Sequence, residues 1–150
     1  MPDYTKALHE GFEAAKKAAA ARKEIKEVLG IFKEQVLAAS EGKLLIELQE
    51  LEEPHDPVDV FKSASVFGRP QPKKFYQALV SSNPLIEKSS SYQLARWKQS
   101  RSGYPCSLSF GQQEHQFEDR SALEEGLAEL LSDPRTGEVL YKLANQVGAK

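Results

Sequence analysis

Apolar positions recur at alternating steps of four and three along the first quarter of the chain: Tyr4, Leu8, Gly11, Ala15, Ala18, Arg22, Ile25, Leu29, Phe32, Val36 and Ala39. All but Gly11 and Arg22 are apolar, which is the spacing of a heptad seam over about five repeats. No proline interrupts the stretch from Asp3 to Glu41. It reads as one helix with Asp3 as its N-cap and Gly42 as its C-terminal stop. Such a helix is roughly 55 Å long, more than the width of a domain of this size, so part of it projects or meets a partner. Phe12, Val28 and several alanines flank the seam, so the apolar stripe is wide, and the flanking positions carry no complementary acid–base code. Ala18 to Ala21 form a small-residue patch that permits close helix approach. Leu8, Phe12, Ala15, Ala18, Ile25, Leu29, Phe32 and Val36 are therefore the candidate interaction surface, with self-association, most simply as a homodimer, as the first expectation. The competing expectation is that Ile25 to Val36 cover the protein's own sheet, leaving Tyr4 to Ala21 little to cover.

Beyond Gly42 the period changes. Leu44 to Leu51 alternates as a strand, with Leu44, Ile46 and Leu48 on one face. Pro54 and Pro57 break the acidic turn Glu50 to Pro57. Val58 to Phe67 is apolar and fits a short strand or a turn, Gly68 to Pro72 is a break, and Phe75 to Val80 is too short for period alone to separate strand from helix. Three strands follow over Tyr92–Gln99, Tyr104–Phe110 and Glu114–Glu118, with Gly103 and Gly111 at their turns. Cys106, Leu108 and Phe110 share one face of the second of these, with Phe117 on the same side across the turn, as in a meander with one wet face. Ser121 and Glu124 make a capping-box signature before Leu123, Leu127, Leu130 and Leu131. Asp133 and Pro134 then open a last helix whose inner face is Val139, Leu140, Leu143 and Val147. The fold class expected is α+β: a long N-terminal helix, a mostly antiparallel sheet of four or five strands, and two C-terminal helices packed on it. Two parts are expected, a helix over 1–42 and an α+β domain over 43–150.

Charge alters this picture in one place. The 150 residues are nearly neutral, with 20 Lys and Arg against 22 Asp and Glu. Between Val60 and Gln113, however, stand eight basic residues and one acid, together with eight of the 13 aromatics. A basic, aromatic stretch between acidic flanks fits a polyanionic partner. Within it, the Tyr92–Tyr104 hairpin in strict alternation sets Tyr92, Leu94, Arg96 and Lys98 on one face and Gln93, Ala95, Trp97 and Gln99 on the other. Lys73, Lys74, Arg96, Lys98 and Arg101 are the candidate phosphate contacts, and Trp97 or Tyr104 the candidate base-stacking ring.

Other chemistry is thinly represented. Cys106, His115 and Asp119 form an imaginable nucleophile, base and orienting acid. Cys106 nevertheless sits among apolar alternation, as an inert buried thiol does, and His115 reads as a core-edge residue. His55 and Asp56 beside Glu52 and Glu53 offer a carboxylate-rich loop for a divalent cation, though such loops are ordinarily just solvated. A single cysteine excludes an intrachain disulfide and a zinc site built on several thiolates. No phosphate-cradling, nucleophile-elbow or zinc-protease motif occurs, and no cofactor or metal is expected. The start of the chain lacks the pattern of a signal peptide and no run is long enough to span a bilayer, so a cytoplasmic protein is expected. Two functional readings follow. The first is a non-enzymatic protein-interaction module, an adaptor, inhibitor or assembly subunit, which self-associates through its N-terminal helix. The alternative is a nucleic-acid-binding protein using the basic 60–113 region. The first ranks higher because the seam is the longer and more regular signal.

Overall fold

The computed structural model describes residues 1–54 and 74–146. The expected element at Val58–Phe67, the break at Gly68–Pro72, the cation-binding pair His55 and Asp56, and Lys62, Arg69, Lys73 and Val147 lie outside the described residues. In chain order the elements are α1 (Tyr4–Ala39), β1 (Leu45–Glu52), β2 (Phe75–Ser82), β3 (Tyr92–Ser100), β4 (Gly103–Phe110), β5 (Gln113–Phe117), α2 (Arg120–Ser132) and α3 (Pro134–Ala144). The fold is α+β as expected, and the 75–80 ambiguity resolves as a strand. The five strands form one antiparallel sheet in the order β1-β2-β3-β4-β5, each paired with its sequence neighbour.

Local chemistry explains the element ends. Asp3 caps α1 through bonds from the backbone N–H of Thr5 and Lys6 to its carboxylate, satisfying two donors that no helical carbonyl reaches. At the other end the Gly42 N–H reaches back to the Leu37 carbonyl at 2.8 Å and that of Glu41 to Ala38 at 3.2 Å. The left-handed turn is shared by Glu41 (φ 56°) and Gly42 (φ 80°), so Gly42 does not make the stop alone. The β4–β5 turn holds Gly111 and Gln112 both at positive φ, the two-residue geometry that matches strand twist. α2 begins earlier than its capping-box signature implies. Asp119, not Ser121, is the cap and accepts from the Ala122 N–H at 2.8 Å, while Glu124 accepts from Arg120 Nε at 2.7 Å. A carboxylate two residues upstream does the same work and also complements the helix dipole. Asp133 and Pro134 open α3 as expected.

One face of the sheet carries the core. Ile46, Leu79, Ala95, Trp97, Cys106, Leu108 and Phe117 pack there against Ile25, Val28 and Val36 of α1, Leu123, Leu127 and Leu130 of α2, and Leu140 of α3. Two glycines set how closely chains approach. A Cβ on Gly126 would come within 2.2 Å of the Phe117 ring, and one on Gly103 within 2.6 Å of Ala21 Cβ. The second contact brings the β3–β4 turn against α1 at Ala21. Arg22 adds to it, donating from Nη1 to the Arg101 carbonyl.

β3 departs from strict alternation. Leu79 pairs with Ala95 but the next residue, Val80, pairs with Gln93, so Leu94 is the extra residue of a β-bulge. The bulge turns Leu94 into the core beside Ala95 and Trp97, rather than leaving it with Arg96 and Lys98. Gln93, not Tyr92, then shares the face of Arg96: the Tyr76 hydroxyl donates to Gln93 Oε1 at 2.7 Å while Arg96 stacks 4.1 Å over the Tyr76 ring. Burial of one more leucine outweighs a regular ladder.

Candidate interaction surface

α1 divides into two unlike parts at Ala21. Ile25 is 1% exposed, and Val28 and Val36 are buried with it, while Leu29 and Phe32 pack on the core's edge. Ile25, Leu29, Phe32 and Val36, expected to face a partner, thus serve the protein's own sheet. The reason is steric: their side chains fall where β1, β4 and α2 meet the helix. Ahead of Ala21 the helix runs past the sheet. Leu8 and Phe12 are each 58% exposed, Tyr4 is more so, Ala15 is exposed and Ala18 half-exposed. Tyr4, Leu8, Phe12 and Ala15 remain as an exposed apolar stripe on the helix, and Ala18 is partly covered. The polar side of this segment carries Lys6, His9, Glu10, Glu13, Lys16 and Lys17, with Glu13 and Lys16 3.7 Å apart in an exposed pair.

Two shallow grooves flank the covered part of α1. One, of about 370 Å³, lies between α1 and α2 and is lined by Val28, Ile31, Phe32, Leu127 and Leu131. The other, of about 350 Å³, lies between α1 and β1 and is lined by Leu29, Phe32, Ile46 and Leu48. Lys33 closes its rim by a 2.8 Å pair with Glu47.

The basic region folds differently from its sequence reading. Trp97 is 2% exposed on the core face, beyond the reach of an unpaired base. Its Nε1 has no hydrogen-bond partner among the described residues. The Tyr104 hydroxyl donates to Glu24 Oε1 at 2.7 Å, and burial, with that carboxylate, holds its pKa above the ordinary phenol value. Neither ring is free to stack. Arg96 and Lys98 do lie together on the face away from the core, but each meets an acid, Arg96 with Glu53 at 3.3 Å and Lys98 with Glu114 at 4.0 Å. Lys74 and Arg101 are exposed at separate places, before β2 and at the β3–β4 turn.

The imagined catalytic trio does not assemble. Cys106 pairs across the sheet with Phe117, and His115 with Leu108. His115 stacks on Phe110 with ring centroids 4.4 Å apart, and Asp119 is occupied as a helix cap. Burial pushes the Cys106 thiol up to about 11, the opposite of an activated nucleophile. Among the described residues no group of three or more His, Cys, Asp or Glu is placed to hold a metal ion, and no helix is long and apolar enough to cross a membrane. The chain matches no protein-family model, no curated protein and no solved structure.

Proposed function

We propose that this protein is a non-enzymatic interaction module, an assembly subunit of the cytoplasm, which self-associates through the free half of α1. One observation carries the reading: a continuous helix runs some 17 residues beyond its own core with Tyr4, Leu8 and Phe12 exposed along it. An isolated helical segment of that length is marginal in water, and exposed phenylalanine and leucine at helical spacing are stabilised when a second apolar surface covers them. A single buried cysteine suits a reducing compartment. The nucleic-acid reading draws less support, because both candidate rings are engaged within the fold and the two strand cations are matched by Glu53 and Glu114.

Sedimentation equilibrium of the full chain tests the proposal. The wild type is expected to sediment as an oligomer at micromolar concentration, and the double variant Phe12→Glu, Ala15→Glu as a monomer with unchanged far-UV circular dichroism. A wild type that stays monomeric throughout removes the proposal. Retention of the oligomer by the double variant moves the interface to the grooves beside Phe32.

A further inference from the structure

We infer that the free half of α1 docks on an anionic lipid bilayer surface, through the helix face centred on Leu8. The inference goes beyond the self-association proposed above and stands without it, since a bilayer and a second copy compete for one stripe. The distribution of charge around the helix carries it. At roughly 100° per residue, Tyr4, Phe12, Ala15 and Ala19 all fall within about 40° of Leu8. Each of these five is exposed. Lys26 falls on the same line, and Lys16 and Lys23 lie within about 80° of it on the Phe12 side. The acids of the helix up to residue 27 are Glu10, Glu13, Glu24 and Glu27, and all lie about 100° or more away. Glu24 and Glu27 are also turned to Tyr104 and Arg120, at 2.7 Å and 4.0 Å. Lys23 and Lys26 are exposed and make no ion pair among the described residues, while Lys16 has only the exposed Glu13 at 3.7 Å. Arg22, also on this side, is engaged by the Arg101 carbonyl and is not counted. Apolar stripe and free cations thus share one face, and the carboxylates stand behind it.

The fold leaves this face open. Ile25, Val28, Phe32 and Val36, which meet the core, stand roughly 80° to 160° round the helix in the other direction. Ala18 and Ala21, on that side, are partly covered. A plane laid along Leu8 therefore touches α1 from Tyr4 to Lys26, roughly 33 Å, with the sheet on its far side. The shape of the face fits a plane. It is the convex side of a single helix, and the two grooves flanking α1 lie beside Phe32, outside it. A partner protein would need an apolar patch and carboxylates set in matching order, whereas an anionic bilayer offers both at every point of its surface. Tyr4, Leu8 and Phe12 enter the acyl boundary, while the lysine stems lie along it and keep their ammonium heads among the lipid phosphates. Three large apolar side chains hold such a helix weakly, so the binding depends on anionic lipid.

Vesicle co-sedimentation of the full chain at high dilution tests this, comparing phosphatidylcholine vesicles with vesicles containing about one-third phosphatidylserine. Wild type is expected to bind the anionic vesicles about tenfold or more tightly than the neutral ones, and to come off as salt rises. Phe12→Glu is expected to lose binding with unchanged far-UV circular dichroism. Lys23→Gln with Lys26→Gln is expected to weaken binding about tenfold. Lys6→Gln with Lys17→Gln removes the same charge from the opposite side of the helix and is expected to change binding far less. Equal losses from the two pairs would mean attraction without a docked face and overturn the inference. So would an absence of binding at low salt, or equal binding to both kinds of vesicle. Self-association fails separately. A chain that sediments as a monomer without lipid yet binds anionic vesicles removes the oligomer and keeps the docking face, and an oligomer whose dilute chains ignore the vesicles does the reverse.

Discussion

The two halves of α1 share one helix, one period and one apolar stripe, yet only the second is covered. From Ala21 onward Ile25, Val28 and Val36 sit in the core; before it Leu8 and Phe12 stand 58% exposed. What separates them is position relative to the sheet. The β3–β4 turn meets the helix at Ala21 through the Gly103 contact, and ahead of Ala18 every residue of the helix is exposed. A continuous seam in sequence can therefore serve two different surfaces in succession. Periodicity reports that a face is apolar and is silent about what covers it.

The comparison breaks most sharply by truncation. Ile25→Ala is expected to cost about 2–5 kcal/mol in urea unfolding, because it removes buried methyl groups and leaves a cavity. Leu8→Ala at high dilution is expected to cost well under that and to act only when the protein is concentrated enough to associate. Equal losses at high dilution would mean that the two halves are not different.

Alkaline titration sharpens the contrast. Cys106 carries a pKa of about 11 against an ordinary 9.0, because burial disfavours the thiolate. As pH rises past 9 the unfolded chain loses its proton first, so the folded state, still protonated, is progressively disfavoured up to about 11. A fall of about 2–3 kcal/mol from this thiol is expected over that window, and Cys106→Ser should remove it below pH 10.0, leaving the loss that Tyr104, whose phenol is also held up, adds above that pH, read from unfolding midpoints. The same property makes native Cys106 slow to alkylate at neutral pH, while a cysteine placed at Leu8 reacts at once in dilute protein.

Glycine replacements give smaller effects of opposite sign. Gly103→Ala forces a Cβ against Ala21 at a φ of +93°, and a loss of about 1–3 kcal/mol in thermal or urea unfolding is expected. Gly11 has nothing within 4 Å, so Gly11→Ala should stabilise dilute protein by about 1 kcal/mol through helix propensity. Smallest of all, Trp97→Phe removes an N–H that has no hydrogen-bond partner among the described residues, so where the smaller ring fills the site a change below about 1 kcal/mol is expected. A larger loss would show that the indole's extra volume matters to the core.

Local rules read from the sequence carried most of the architecture. The proline-free heptad stretch, the Asp3 and Asp133 caps, the alternation of Cys106 with Leu108, and Gly111 at a tight turn each depend on near neighbours in the chain, and each is realised. Three decisions depended on residues far apart and were not legible. Leu94 moved into the core because a bulge opposite Leu79 and Val80 brought it under α3 and its neighbours. Trp97 became core rather than a stacking surface because its face of the sheet is the one the helices cover. Arg96 and Lys98 acquired Glu53 and Glu114 because the sheet brings near them an acid just past β1 and one on β5, each two strands from β3, which no window of one strand can display. Period and capping are properties of a few consecutive residues, so sequence alone determined them. Which apolar face is covered, and which charge is matched, is settled by pairing across the sheet, so only the tertiary structure decided it.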